Sequence, residues 1–225
     1  MWRYILVDSN QKTLDLMLEE KYEKAAQLLN EQIEKHPNDP IGYINFGNLL
    51  VKVKQYEKAE TFFQRAIELD DTVATAYYSL GNLYYECGQF QQAQQQYERA
   101  MQHGLADSDV YFMLGLSLVE QSHHMLAIPY LLRATELDEA DPEKHFQYGL
   151  ALAKSNYLRE AETIFKQLIK IDENHSDAYY NLGIIALYFE QFDRSEHYFQ
   201  TALKIHPKHV LAANGIKKVQ SIKND

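Results

Sequence analysis

The stretch Ala74–Asp107, ATAYYSLGNLYYECGQFQQAQQQYERAMQHGLAD, can be laid over its neighbours in steps of thirty-four residues with no insertion or deletion. Glycine shows the register best. Gly47, Gly81, Gly115, Gly149 and Gly183 are each thirty-four residues apart, so five of the nine glycines share one repeat position. A fixed period of this length signals a stacked array, in which each unit covers the apolar face of the next.

Inside Ala74–Asp107, Tyr77, Leu80, Gly81 and Tyr84 recur at three- and four-residue steps. After a break at Cys87-Gly88-Gln89, Phe90, Ala93, Tyr97 and Ala100 do the same. The pattern predicts two amphipathic helices joined by a tight turn. A glycine inside a helix costs roughly 1 kcal/mol relative to alanine, so Gly81 implies that the second helix crosses there, with Ala93 as the expected counterpart. Helices of about fourteen residues are marginal alone in water, so packing of one pair on the next must hold them.

The pattern resembles the tetratricopeptide repeat (TPR), with an aromatic, Leu-Gly, Tyr, Ala, aromatic, Ala and Pro at set places. In Pro40–Val73 these places hold Tyr43, Phe46, Gly47, Leu50, Ala59, Phe63 and Ala66. Ser108–Asp141 has Tyr111, Leu114, Gly115, Leu118, Ala127, Leu131 and Ala134. In Pro142–His175 they are His145, Tyr148, Gly149, Leu152, Ala161, Phe165 and Leu168, and in Ser176–His209 Tyr179, Leu182, Gly183, Ser195, Phe199, Ala202 and Pro207. The resemblance implies an all-α fold, an α-solenoid or right-handed superhelix of stacked antiparallel helix pairs. The expected division is a degenerate N-terminal repeat at 1–39, repeats at 40–73, 74–107, 108–141, 142–175 and 176–209, and a C-terminal capping helix at 210–225.

The N-terminal segment keeps Tyr22, Ala25, Leu29 and Pro37 of the second half but lacks the glycine and first aromatic. Its first helix is expected from about Gln11, with Met1–Asp8 as an extra piece packed on it. At the other end Val210, Ala213, Ile216, Val219 and Ile222 run at three-residue steps, as in a helix with one solvated face. Pro40 and Pro142 fit helix starts, where a missing amide hydrogen costs nothing. Pro129 lies within the second helix of its repeat and is expected to kink or delay it. The linking turn there, Gln121-Ser122-His123-His124, also lacks glycine or an acidic residue.

Composition excludes several classes. A formal charge of −10 argues against a binder that tracks phosphates with clustered Lys and Arg. No apolar run approaches the roughly eighteen residues of a membrane span, and Ile5-Leu6-Val7 is too short for a signal-peptide core, so a cytoplasmic protein is expected. The single Cys87 cannot form an internal disulfide and reads as inert filler. There is no phosphate-binding glycine loop, no paired cysteines and no Gly-x-Ser-x-Gly elbow, so no enzyme and no cofactor are expected. Of nine histidines, His36, His103, His175, His206 and His209 fall near the ends of second helices, where a partial positive charge suits the helix dipole; no metal site is expected.

The resemblance places the working surface in a concave groove lined by the first helices. The positions facing it are Asn45 and Asn48, Tyr78, Ser79 and Asn82, Phe112, Met113 and Leu116, Phe146, Gln147 and Leu150, and Tyr180, Asn181 and Ile184. The N-terminal end is amide-rich and the middle apolar and aromatic. Asparagines there can hydrogen-bond the backbone of an extended segment, or can pair only with the helix surface and water. Phe112 and Phe146 could each contribute about 2.5 kcal/mol if a partner covered ~100 Å² of each, or could pack against neighbouring helices instead. Some family members clamp an acidic chaperone tail with basic residues, but the corresponding places here hold Thr75, Asp109, Glu143 and Asp177, which would repel a carboxylate.

The expected role is a non-catalytic interaction module or adaptor. It takes an extended or helical segment of another protein, neutral or basic with apolar side chains, and engages neither nucleic acid nor membrane. The alternatives are a peptide-sensing regulator, a helical-repeat RNA binder and a non-catalytic part of an enzyme complex. Self-association through the groove is a further option, since exposed apolar residues can accept a neighbour's terminal helix.

Overall fold

The computed structural model describes residues 11–224, which form thirteen α-helices and no strand. The segment Met1–Asp8 lies outside the described residues. The helices fall into two compact units, one ending at Gln121 and the other beginning at Ser122.

The first unit holds α1 (Gln11–Leu18), α2 (Tyr22–Lys35), α3 (Pro40–Lys52), α4 (Tyr56–Leu69), α5 (Ala74–Glu86), α6 (Phe90–Gln102) and α7 (Ser108–Glu120). The second holds α8 (His124–Leu137), α9 (Pro142–Lys154), α10 (Leu158–Ile171), α11 (Ser176–Tyr188), α12 (Phe192–Ile205) and α13 (Val210–Asn224). From α3 onward, odd-numbered helices begin every thirty-four residues, and from α2 onward even-numbered ones do too. Each helix packs on the next within its unit, and α3 also meets α5, α5 meets α7 and α11 meets α13.

The core is a ring set into a glycine. A methyl carbon added at Gly81 would lie 2.6 Å from the Tyr97 ring; at Gly149 it would lie 2.7 Å from Phe165, and at Gly183 2.6 Å from Phe199. Gly47 meets Phe63 in the same way. Ala93 is also buried, but the counterpart of Gly81 is the Tyr97 ring four residues further on, whose atoms are the nearest to a side chain added there. Gly215 of α13 approaches Phe199 too, so that ring is flanked by two glycines. Where the fifth repeat replaces the usual alanine by Ser195, its buried hydroxyl donates to the Gly183 carbonyl at 2.8 Å.

Helix starts are capped by a periodic residue. Asp39, Asp107 and Asp141 accept backbone N–H bonds from the first turns of α3, α7 and α9. His175 and His209 stand at the same repeat position and do so through Nδ1, accepting from Ala178 and Ala212 at 3.2 Å. This corrects the dipole reading for these two. They serve the starts of α11 and α13, where each Nδ1 takes the backbone N–H bond that an Asp side chain takes in the sister repeats. His36, His103 and His206 do lie at the C-terminal ends of α2, α6 and α12.

The turns between paired helices each need one left-handed residue, supplied by Glu20, Lys54, Gly88, Ser122, Asn156 and Glu190, all with φ between 56° and 73°. Ser122 is therefore ordinary, since glycine fills this position only once. Pro129 does not delay its helix either: α8 begins in register at His124 and runs unbroken to Leu137. The amide it lacks would have bonded the carbonyl of Met125, a residue 60% exposed, so water can serve that carbonyl. In α13 the buried line is Ala212, Gly215 and Val219, while Val210 is exposed. Lys223 ties the end of α13 to α12 through Asp193 at 2.8 Å and Glu196 at 2.7 Å. Cys87 is exposed at the end of α5 and fills nothing; partial desolvation, with Glu86 and Glu60, pushes its thiol pKa up.

Gly81→Ala forces a methyl into the Tyr97 ring and is expected to cost about 1–3 kcal/mol. Gly88→Ala meets no atom within 4 Å, and its cost is the left-handed backbone alone, about 1 kcal/mol. Urea unfolding of the two variants beside the parent checks the order.

Candidate peptide-binding surface

In the first unit, contact of α3 with α5 and of α5 with α7 sets one helix face beside the next. Asn45 and Asn48 lie on α3 and are buried, at 1% and 4% exposure, and neither is without a partner. On α5, Asn82 joins two tyrosines. The Tyr97 hydroxyl donates to its Oδ1 at 2.8 Å, and Tyr78, 5.8 Å from the Tyr97 ring, shares a hydrogen bond with Asn82. Burial, then Asp109, pushes the Tyr78 hydroxyl well above the usual tyrosine range, with the Asn82 bond acting the other way. On α7, Met113 is buried, while Phe112 and Leu116 are half-buried.

In the second unit, α9 and α11 carry the corresponding residues. Phe146 is half-buried against Phe165, with centroids 6.1 Å apart, and against the His175 ring at 4.7 Å. Tyr180 repeats this one period later, 5.9 Å from Phe199 and 5.1 Å from His209. The capping imidazole of the following helix thus lies beside each aromatic. His175 and His209 occupy the register of the caps Asp39, Asp107 and Asp141. Asn181 is half-buried and donates from Nδ2 to the Asp177 carbonyl at 2.8 Å. Ile184 and Tyr188 follow Tyr180 at four-residue steps on α11 and are 40% and 64% exposed. Tyr188 lies two turns beyond Tyr180, outside the positions flanking the first aromatic that the repeat pattern marks.

The charge at the helix starts is acidic. Asp177 brings Oδ1 to 3.0 Å from His209 Nε2, and Glu143 accepts from the Gln147 amide at 2.8 Å. Lys144 is buried where sister helices carry Gly42, Ala76, Val110, Ala178 and Ala212, and it pairs with Asp138 at 2.9 Å and Asp141 at 3.6 Å. Among the described residues no group of three or more His, Cys, Asp or Glu could hold a metal ion, and no helix is long and apolar enough to cross a membrane. The surface offers apolar rings and carboxylates, with most of its amides already engaged.

A repeat-built α-solenoid of helix pairs locked ring into glycine defines the class of protein. A profile described as TPR repeat matches residues 47–86, one described as tetratricopeptide repeat matches 78–142 and 112–176, and a further tetratricopeptide repeat profile matches 176–209. The solved structure of YrrB, described as a TPR protein with an unusual peptide-binding site, is 39% identical with a TM-score of 0.81, covering 85% of this chain and 99% of its own. The chain belongs to the tetratricopeptide repeat family, whose repeats mediate protein–protein contact. Two structures of MamA share the fold. One is 18% identical at a TM-score of 0.72, covering 77% of this chain and 95% of its own. The other, from Desulfovibrio magneticus RS-1, is 15% identical at 0.71, covering 76% and 97%. A search of curated protein sequences returns no match.

Because Asn82 serves two buried tyrosines, Asn82→Ala is expected to cost about 1–3 kcal/mol of stability. Thermal and urea unfolding read this directly; an unchanged midpoint would show that the tyrosine hydroxyls find other partners.

Proposed function

We propose that the chain is a non-catalytic interaction module that takes a segment of a partner protein, extended or helical, along the faces of its first helices. Residues 40–209 form the five complete repeats of this reading, with 1–39 as a degenerate repeat and 210–225 as a capping helix. The observation that carries it is the apolar row Tyr180, Ile184 and Tyr188 on α11, exposed at its outer end and headed by the carboxylate of Asp177. Apolar area left bare beside acidic charge favours a neutral or basic segment with apolar side chains over an acidic tail. Phe146 and Asn181 extend this patch within the second unit; in the first unit Phe112 and Leu116 offer a patch of the same kind, with Asn45, Asn48, Tyr78, Asn82 and Met113 shaping it from beneath. YrrB's peptide-binding site lends support by family.

Peptides selected from a random display library against the folded chain test the reading. Neutral or basic sequences with apolar anchors are expected. Their affinity should fall about 10- to 100-fold in Phe112→Ala, Phe146→Ala and again in Ile184→Ala, Tyr188→Ala, which corresponds to about 1.4–2.7 kcal/mol for each pair of substitutions. Circular dichroism confirms that the variants are folded. Enrichment of acidic peptides, or affinity indifferent to both pairs of substitutions, would refute it.

A further inference from the structure

The even-numbered helices turn one face to their partners and the other to solvent, and α8 breaks the rule on its solvent face. Aligned by register, the second and third residues are Glu57 and Lys58 in α4, Gln91 and Gln92 in α6, Arg159 and Glu160 in α10, and Asp193 and Arg194 in α12. In α8 they are Met125 and Leu126, 60% and 59% exposed. The sixth residue is Thr61, Gln95, Thr163 or His197 in the sister helices and the exposed Pro129 in α8. At the ninth, Gln64, Glu98, Lys166 and Gln200 give way to Leu132, 39% exposed. At 100° per residue, positions 125, 129 and 132 fall on one outward ridge with 126 flanking it, opposite the buried Ala127, Leu131 and Ala134.

Charge sets the same helix apart. In a chain of net charge −10, α8 carries no acidic residue from His124 to Thr135, and its first carboxylate, Glu136, is paired with Arg133 at 2.9 Å. Each of α4, α6, α10 and α12 has at least one acid within its first nine residues. On this face two copies of an acidic chain can meet with no carboxylate at the centre of the contact.

We propose that the outward face of α8 is a self-association surface, on which a second copy of the chain docks its own α8 in antiparallel, two-fold fashion. With the axis at Pro129, Leu126 of one copy faces Leu132 of the other, and Met125 lies along the stem of Arg133. A two-fold contact needs a self-complementary patch, and this one is apolar, uncharged at its centre and one helix wide. The bare apolar area is on the order of 400 Å² per copy, about 800 Å² for the pair, which places the dimer among weak, concentration-dependent contacts. It uses a helix face distinct from that of Tyr180, Ile184 and Tyr188, so a dimer would leave those residues bare.

Sedimentation velocity of the full chain from about 10 µM to about 1 mM tests this, since a weak pair dissociates within that range. The parent is expected to shift from monomer toward dimer, and Leu126→Glu, Leu132→Glu to remain monomeric throughout, with an unchanged circular dichroism spectrum. Met125→Lys, Leu126→Lys provides a second variant at the two most exposed positions and should lose at least 10-fold in association. A parent that stays monomeric at about 1 mM would overturn the proposal, as would folded variants that dimerise as the parent does.

Discussion

Every helix pair with a ring at its crossing depends on that ring having no Cβ to meet. Phe63, Tyr97, Phe165 and Phe199 occupy the space that a side chain at Gly47, Gly81, Gly149 or Gly183 would take. The contact draws the two backbones together, excludes water from a large aromatic surface, and offsets the poor helix propensity of glycine. It also fixes the rotation of each helix about its axis. Once the glycine of an odd-numbered helix is turned toward the ring, its remaining faces are set toward the neighbouring pair and toward solvent. The exposure of Ile184 and Tyr188 on α11 follows from that rotation.

How much of this was legible depended on whether a feature repeats. The glycine register and the helix pairs could be read from spacing because each recurs every thirty-four residues. Which residue answers Gly81 could not. Ala93 and Tyr97 lie one turn apart on the same stripe, and spacing alone does not say which of two stacked residues reaches the crossing. The histidines were misread for a related reason. His175 and His209 follow second helices in sequence, yet their Nδ1 atoms serve the helices that begin after them, and a chain position between two helices belongs to either until the hydrogen bond is seen.

The candidate surface was legible as a set of positions but not as a set of chemical states. Asn45, Asn48 and Asn82 stand where the register put them, but the first two are buried and the third is held between two tyrosines. A sequence records that an amide is present and not what already uses its hydrogen bonds. Pro129 shows the converse. A residue that forbids a helix hydrogen bond was expected to disturb α8, but the bond it removes lies near the first turn on an exposed side, where solvent can replace it.

The double duty of His209 has a mechanical meaning. One nitrogen holds the first turn of α13, the other faces Asp177 at the head of α11, and the ring plane lies beside Tyr180. Three elements that would otherwise move separately share a single imidazole as a hinge pin. A rotamer change at Tyr180 would press on the ring that anchors the first turn of α13, so the terminal helix and the Tyr180 side of α11 share one mechanical joint.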